Sequence, residues 1–268
     1  MKINKKMTNL INKCKLLLVL VLMNTASHAQ TSSAPAGILS ILDNMYKNYD
    51  SVPYMSFDVK FTYYVDSIGS NNAAEQLLGT YTMAGKRTKY TLGDIDFMQN
   101  DSFFIAVYNK DKMILVDAPR LVNSGSQLPM RQQMDSLLKG YANHYTITNT
   151  VAGDTGKIKM VRADSIAQID EFILKYDNRN KMLYQLQYTY TEIGEYDPET
   201  PSVIINHTKK VLLIDLYNYR FDNYDDSVYK ETNYIYYENG VCKPAYNYKG
   251  FKIYDSRPVI DDSPLPAN

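Results

Sequence analysis

Apolar and polar positions alternate along one long segment, residues 54–66. Its apolar positions are Met55, Phe57, Val59, Phe61, Tyr63 and Val65. A period of two is typical of a half-buried β-strand with one face toward a core. The segment is longer than an average strand, as expected in an antiparallel sheet that curls strongly.

Further strands are predicted between short turn sequences. Gly85, Asn100-Asp101 and Asn239-Gly240 are turn residues at hairpin distance from their flanking strands. The predicted strands are residues 77–84, 86–92, 95–99, 102–108, 112–117, 145–151, 157–162, 169–176, 181–191, 210–221, 232–237 and 246–254. The pattern indicates a meander of antiparallel strands.

Two segments have helical periodicity. The first has apolar residues at Ile38, Ile41, Leu42, Met45 and Tyr49, and should end before Pro53. The second follows Pro129 and has apolar residues at Met130, Met134, Leu137, Leu138 and Tyr141. We therefore predict a mainly β domain of the α+β class, with a leading helix and a second helix that interrupts the sheet.

The first 29 residues have the organisation of a secretory signal peptide. Five lysines precede or flank the apolar run 16–23, and Ser27-His28-Ala29 supplies small residues before Gln30. The run is much shorter than the roughly 20 residues that span a bilayer. We predict cleavage after Ala29 and a periplasmic or secreted protein without a transmembrane segment. Residues 30–37 are predicted as a flexible linker, 38–256 as one β-rich domain and 257–268 as a frayed tail.

The charge balance changes once the signal peptide is removed. The full chain has 29 Lys and Arg against 29 Asp and Glu. Five of these cations lie in residues 1–29, which leaves 24 cations against 29 anions and a net charge of −5. Nucleic-acid binding requires a cationic surface, so a nucleic-acid partner is not expected.

Few residues offer catalytic or metal chemistry. Cys242 is alone after cleavage, so it forms no intramolecular disulfide and is expected to pack without reacting. His144 and His207 lie in no metal-ligand spacing. We predict no metal and no cofactor.

Two acidic clusters in predicted loops are the remaining candidates for catalysis. They are Glu192/Glu195/Asp197/Glu199 and Asp222/Asp225/Asp226. A carboxylate pair could act as the general acid and base of a glycoside hydrolase, and the second cluster could bind calcium. Solvated loop acids are far commoner, and we predict that the protein is not an enzyme.

Tyrosine is unusually frequent, with 25 Tyr and 8 Phe but no Trp. Tyrosine combines an apolar ring with a hydrogen-bonding hydroxyl group, which suits a sheet whose faces are partly dry. Two interpretations stay open: ordinary cross-strand packing, or an aromatic-lined groove for a glycan or lipid.

The order of elements resembles the periplasmic lipoprotein-carrier fold, called LolA/LolB-like. The resemblance is carried by the signal peptide, the leading helix, the long strand 54–66, and the segments GTYTMAGKRTKY (79–90) and VYNKDKMILV (107–116). In that family a strongly curved antiparallel sheet forms an incomplete β-barrel, and helices plug its open side. The resemblance implies an apolar concavity that accepts acyl chains.

Two functional hypotheses follow. In the first, the protein binds a lipid-like ligand or a lipoprotein acyl chain in the concavity, whose wall includes Phe57, Val59, Phe61 and Tyr63. In the second, the barrel is filled by its own side chains, and the protein is a structural or assembly factor of the cell envelope. Its tyrosine-rich hairpins would then bind a protein partner.

Four tripeptides resemble the Asp-Ser-apolar sequon used for O-glycosylation in some Gram-negative envelopes. They are Asp66-Ser67-Ile68, Asp135-Ser136-Leu137, Asp164-Ser165-Ile166 and Asp226-Ser227-Val228. Short motifs recur by chance, so the modification is only a hypothesis.

Overall fold

The structure is a computed structural model that describes residues 36–69, 73–119, 134–135, 137–138, 142–167, 169–193, 207–222 and 225–257. The predicted signal peptide and almost all of the predicted linker and tail lie outside these residues. Helix α1 spans Ala36–Ser51 and ends before Pro53, as predicted. It begins two residues before the predicted start at Ile38.

Fourteen strands follow in the described part of the chain. They are β1 (Met55–Val65), β2 (Ala73–Ala84), β3 (Arg87–Leu92), β4 (Ile95–Gln99), β5 (Phe104–Tyr108), β6 (Met113–Asp117), β7 (Tyr145–Ala152), β8 (Thr155–Arg162), β9 (Glu171–Asp177), β10 (Leu183–Ile193), β11 (His207–Arg220), β12 (Ile235–Glu238), β13 (Val241–Pro244) and β14 (Lys252–Asp255). Short 3-10 helices occupy Ala142–His144, Asp226–Tyr229, Glu231–Asn233 and Tyr246–Tyr248.

Twelve of the strands form one curved sheet that does not close into a barrel. The strand order is β14-β6-β5-β4-β3-β2-β1-β11-β10-β9-β8-β7. Neighbours pair antiparallel except β14 and β6, which pair in parallel. The predicted α+β incomplete barrel is confirmed.

The last third of the chain differs from the predicted strand pattern. The Asn239-Gly240 turn joins β12 and β13 as predicted, but this hairpin forms a separate sheet. The predicted strands 232–237 and 246–254 are wrong in extent, because each begins with a 3-10 helical segment. Tyr234 and Tyr248 reach the core from these irregular segments, so their burial does not require a strand.

The main hydrophobic core lies between α1 and one face of the sheet, which we call the concave face. Helix α1 contributes Ile38, Leu42, Met45, Tyr46 and Tyr49. The sheet contributes side chains from β1, β2 and β7–β11, because alternate residues of those strands point toward the helix.

The predicted second helix falls largely outside the described residues. Met134 and Asp135 are helical, and Leu137 and Leu138 have π-helical backbone. Met134 and Leu138 are fully buried in the main core. The Tyr46 hydroxyl donates to the Asp135 carboxylate at 2.9 Å, which joins this segment to α1.

A second core lies on the opposite, convex face of β4–β6. Met98, Ile105, Val107, Ile114 and Val116 pack there against Tyr234 and Ile235. Cys242 also packs against this cluster, and burial raises the pKa of its thiol. Both observations agree with the predicted packing role of this cysteine.

A β-bulge in β11 reverses the alternation near its end. Asp58 pairs with Tyr217, whereas Ser56 pairs with Arg220, and Asn218 has a φ of +54°. The extra residue places Tyr219 on the concave face beside Phe57 and leaves Tyr217 exposed.

Candidate ligand-binding face

The four residues predicted as a cavity wall lie on the concave face of β1. Phe57 and Val59 are only 1% and 8% exposed and belong to the main core. Phe61 is half-buried and packs against that core, and Tyr63 is half-buried further along the strand. The structure thus leaves Phe61 and Tyr63 partly accessible, and ligand contact by all four stays a prediction.

Aromatic side chains form a continuous row across the concave face, one from each of six neighbouring strands. From β11 to β5 the row is Tyr219, Phe57, Tyr81, Tyr90, Phe97 and Phe104. Successive ring centroids lie 5.1, 5.2, 5.7, 4.2 and 6.2 Å apart. We call this set the aromatic row.

The row is a direct consequence of strand register. Phe57 lies opposite Tyr81, Tyr81 opposite Tyr90, and Tyr90 opposite Phe97. Directly opposed side chains on one face of a sheet are close enough for rings to stack. Cross-strand packing therefore accounts for the alignment of these rings.

Burial is uneven along the row. Phe57 and Phe104 are buried, whereas Tyr81, Tyr90 and Phe97 are half-buried. Burial raises the pKa of the Tyr81 hydroxyl group above its ordinary value of 10.0. The middle of the row is therefore an apolar surface that is only partly covered.

A second apolar line runs beside the row toward the far end of β1. Leu77 lies opposite Phe61, and Gly79 lies opposite both Val59 and Leu92. A Cβ atom at Gly79 would lie 2.2 Å from the Thr91 carbonyl oxygen, so only glycine fits there. Because glycine has no side chain, the concave surface is lower at Gly79 than at the opposed residues Val59 and Leu92.

Polar and charged side chains surround the end of this apolar line that lies near Tyr63. The hydroxyl groups of Tyr63 and Tyr190 are hydrogen-bonded, and burial raises the pKa of both. The Lys210 ammonium lies 5.6 Å from the centre of the Tyr63 ring and 3.5 Å from the Glu192 carboxylate. The concave face therefore changes from apolar to charged along the strand direction.

Several of the residues considered for catalysis form hydrogen bonds or ion pairs with other side chains or with the backbone. His144 Nδ1 lies 2.6 Å from Asp164 Oδ2, and this hydrogen bond lowers the pKa of Asp164. Asp225 caps a 3-10 helix by accepting from the Ser227 amide, and Asp226 pairs with Arg87. No group of three or more His, Cys, Asp or Glu in the described residues is placed to hold a metal ion.

Other predicted positions fall partly outside the described residues. Glu195, Asp197, Glu199 and the His207 side chain are outside them, as is Ser136. The other sequon serines, Ser67, Ser165 and Ser227, are exposed. Their glycosylation stays a prediction, which an intact mass equal to that of the unmodified chain would exclude.

Sequence reasoning missed most of the aromatic row and Lys210. The alternation within β2, β3 and β4 was a usable signal for Tyr81, Tyr90 and Phe97, but their alignment depends on hairpin register.

Among the described helices, none has the length and apolar character needed to cross a membrane.

Comparisons with known proteins give structural similarities at low sequence identity. No protein-family profile matches the chain. No curated protein matches it either. The structure is similar to that of a LolA superfamily protein from Nitrosomonas europaea, at 9% identity and a TM-score of 0.31, over 74% of this chain and 98% of that one.

Two further similarities concern other bacteria. An uncharacterized conserved protein from Thermus thermophilus matches at 7% identity and a TM-score of 0.42, over 82% of this chain and 99% of that one. A Pseudomonas aeruginosa MucA/MucB complex matches at 11% identity and a TM-score of 0.38, over 78% of this chain and 64% of that one. All three similarities are at 11% sequence identity or less and at TM-scores below 0.5.

Proposed function

We propose that the protein is a non-enzymatic, exported envelope protein that binds a lipid-like ligand or a lipoprotein acyl chain on the concave face of its sheet. The observation that carries this proposal is the half-buried middle of the aromatic row. Tyr81, Tyr90 and Phe97 offer stacked ring surface beside a core that already packs against α1. An acyl chain there would remove apolar surface from water.

The packed core limits where the acyl chain of the ligand lies. Phe57 and Val59 form the floor beneath α1, so the ligand contacts the accessible side chains of Phe61, Leu77 and Tyr90 next to them. Each buried methylene group contributes about 0.8 kcal/mol, so a chain of several methylene groups binds without covalent chemistry. The predicted signal peptide supports an envelope location.

Native mass spectrometry of protein purified from its own envelope tests the proposal first. A recurrent lipid adduct is expected. Displacement of the neutral fluorophore N-phenyl-1-naphthylamine by lauric acid then measures binding in solution. A clean polypeptide mass combined with no binding of the fluorophore would contradict the proposal.

Two adjacent leucines provide a matched pair of variants. Leu77 is half-buried on the concave face, whereas Leu78 is 61% exposed on the convex face. Leu77→Glu places a charge beside the ligand and should reduce binding at least about tenfold. Leu78→Glu should bind as the wild type does, and circular dichroism checks that both variants fold. Equal losses in both variants would contradict the assigned face.

A second candidate function is protein-partner binding by the tyrosine-rich C-terminal hairpin. Tyr236 and Val241 are exposed on this hairpin, and Tyr246 beside it is 89% exposed. Exposed aromatic side chains are enriched at protein interfaces. A photo-crosslinking residue at Tyr246 should give a specific protein adduct if this function holds, and one at the exposed Ile166 should not.

A further inference from the structure

Lys210 is a largely buried cation on the concave face. Its side chain is 15% exposed, although lysine is usually solvated. Register places Lys210 opposite Val65 on one side and Tyr190 on the other. Its ammonium group lies over the Tyr63 ring, which stabilises a desolvated cation.

Lys210 continues the apolar line of β11. The concave residues of that strand are Leu212, Ile214 and Leu216, which lie opposite Tyr63, Phe61 and Val59. Lys210 is the next concave residue after Leu212. From Phe57 to Tyr63 this surface extends about 20 Å, so an extended chain along it ends near the ammonium group.

The carboxylate that pairs with Lys210 is weakly held. Glu192 is 61% exposed and lies 3.5 Å from the ammonium group. Because the Glu192 side chain is largely solvated, its carboxylate can return to water when a ligand anion takes its place beside Lys210. Glu75, the other acid that acts on the Tyr63 hydroxyl group, lies opposite Tyr63 on β2.

We propose that Lys210 binds the anionic head of the ligand, a carboxylate or phosphate at the end of an acyl chain. This inference rests on the proposed function, because the chain occupies the apolar surface and the head lies at its charged end. The Tyr63 and Tyr190 hydroxyl groups border the same position. The ligand class is thus an anionic single-chain amphiphile.

Matched ligands of equal chain length test the inference. Laurate, dodecyl phosphate and 1-dodecanol each displace N-phenyl-1-naphthylamine from the full mature protein at pH 8. At least one anion should bind about tenfold tighter than the alcohol, and the tighter one identifies the head group. If all three bind equally, this inference fails while the proposed function stands. If none binds, the proposed function itself fails.

Variants of neighbouring residues distinguish a specific head-group site at Lys210 from a general effect of positive charge on anion binding. Lys210→Met should bind laurate and dodecanol equally, whereas Lys209→Met, on the exposed convex side of the same strand, should keep the preference. Glu192→Gln removes the competing carboxylate and should tighten anion binding without changing dodecanol binding. If Lys210→Met does not fold, the anion affinity of Glu192→Gln still tests the inference. Unchanged anion binding in Glu192→Gln, or equal loss in Lys209→Met, would overturn the inference.

Discussion

The Tyr49 hydroxyl donates a hydrogen bond to the Tyr219 hydroxyl across 2.8 Å, and so joins α1 to β11. The direction follows from the other two bonds of the group. Tyr219 donates to the Leu183 carbonyl oxygen at 2.6 Å, and the Leu183 amide donates to the Tyr49 oxygen at 3.2 Å. This closed set of three bonds fixes the helix over the concave face and next to the first ring of the aromatic row.

Removing the Tyr49 hydroxyl should destabilise the protein. Tyr49→Phe leaves the buried Leu183 amide without its acceptor, which should lower the free energy of unfolding by about 1–3 kcal/mol. Chemical denaturation measures this change. Tyr217→Phe, at an exposed tyrosine on the same strand, should stay within about 0.5 kcal/mol of the wild type. Equal effects in the two variants would contradict the assigned bonds.

Alkaline pH should weaken the same contact. Burial raises the pKa of Tyr49 from 10.0 to about 12, so the folded protein holds this proton more tightly than the unfolded chain does. The resulting stabilisation is complete below pH 10 and is lost as pH rises through 12. One such group changes the free energy of unfolding by at most about 1.4 kcal/mol per pH unit. Tyr49→Phe should therefore show a shallower decline over this interval, and an identical decline would exclude Tyr49 as a contributor.

A charge at Val59 should unfold the protein. Val59 is buried in the main core, and an unpaired carboxylate there costs several kcal/mol. Val59→Glu should lose its β-sheet circular dichroism signal, whereas Leu78→Glu on the convex face should keep it. Retention of both fold and lipid binding in Val59→Glu would mean that the register of β1 is wrong by one residue.

A methyl group at Gly79 should be poorly tolerated. Its Cβ would lie 2.2 Å from a backbone oxygen, so β2 and β3 must move apart. Gly79→Ala should lower the free energy of unfolding by about 2–3 kcal/mol. Gly37→Ala is the control, because it lies in α1 with no atom within 4 Å of the added group and should not destabilise. A neutral Gly79→Ala would contradict the close approach of the two strands.

The exported protein should begin at Gln30. The order of lysines, apolar run and small residues in 1–29 predicts this cut. N-terminal sequencing of protein from the periplasm measures it directly. A chain that retains Met1 would refute the predicted signal peptide.

The elements that sequence could predict are those set by local pattern. The alternation in β1 and the apolar spacing of α1 each fix which side chains share a face. Turn residues such as Asn239-Gly240 also act locally. These features gave the strands, the leading helix and the fold class.

The same patterns could not predict which distant strands pair with each other. β1 pairs with β11, more than 140 residues later in the chain, and nothing in either strand specifies that partner. The Asn218 bulge changes the face of Tyr219, and simple alternation would have placed that ring on the convex side. Lys209 and Lys210 are equivalent in sequence, and only the register of β11 separates the exposed lysine from the buried one.

Paramagnetic broadening by a spin-labelled stearate tests the proposed binding face most directly. With methyl-labelled protein, the account predicts stronger broadening of the Leu77 and Leu92 signals, which belong to the concave face, than of the Leu78 and Val241 signals. Broadening confined to Leu78 or Val241, or no selective broadening at saturating ligand, would contradict lipid binding on the concave face.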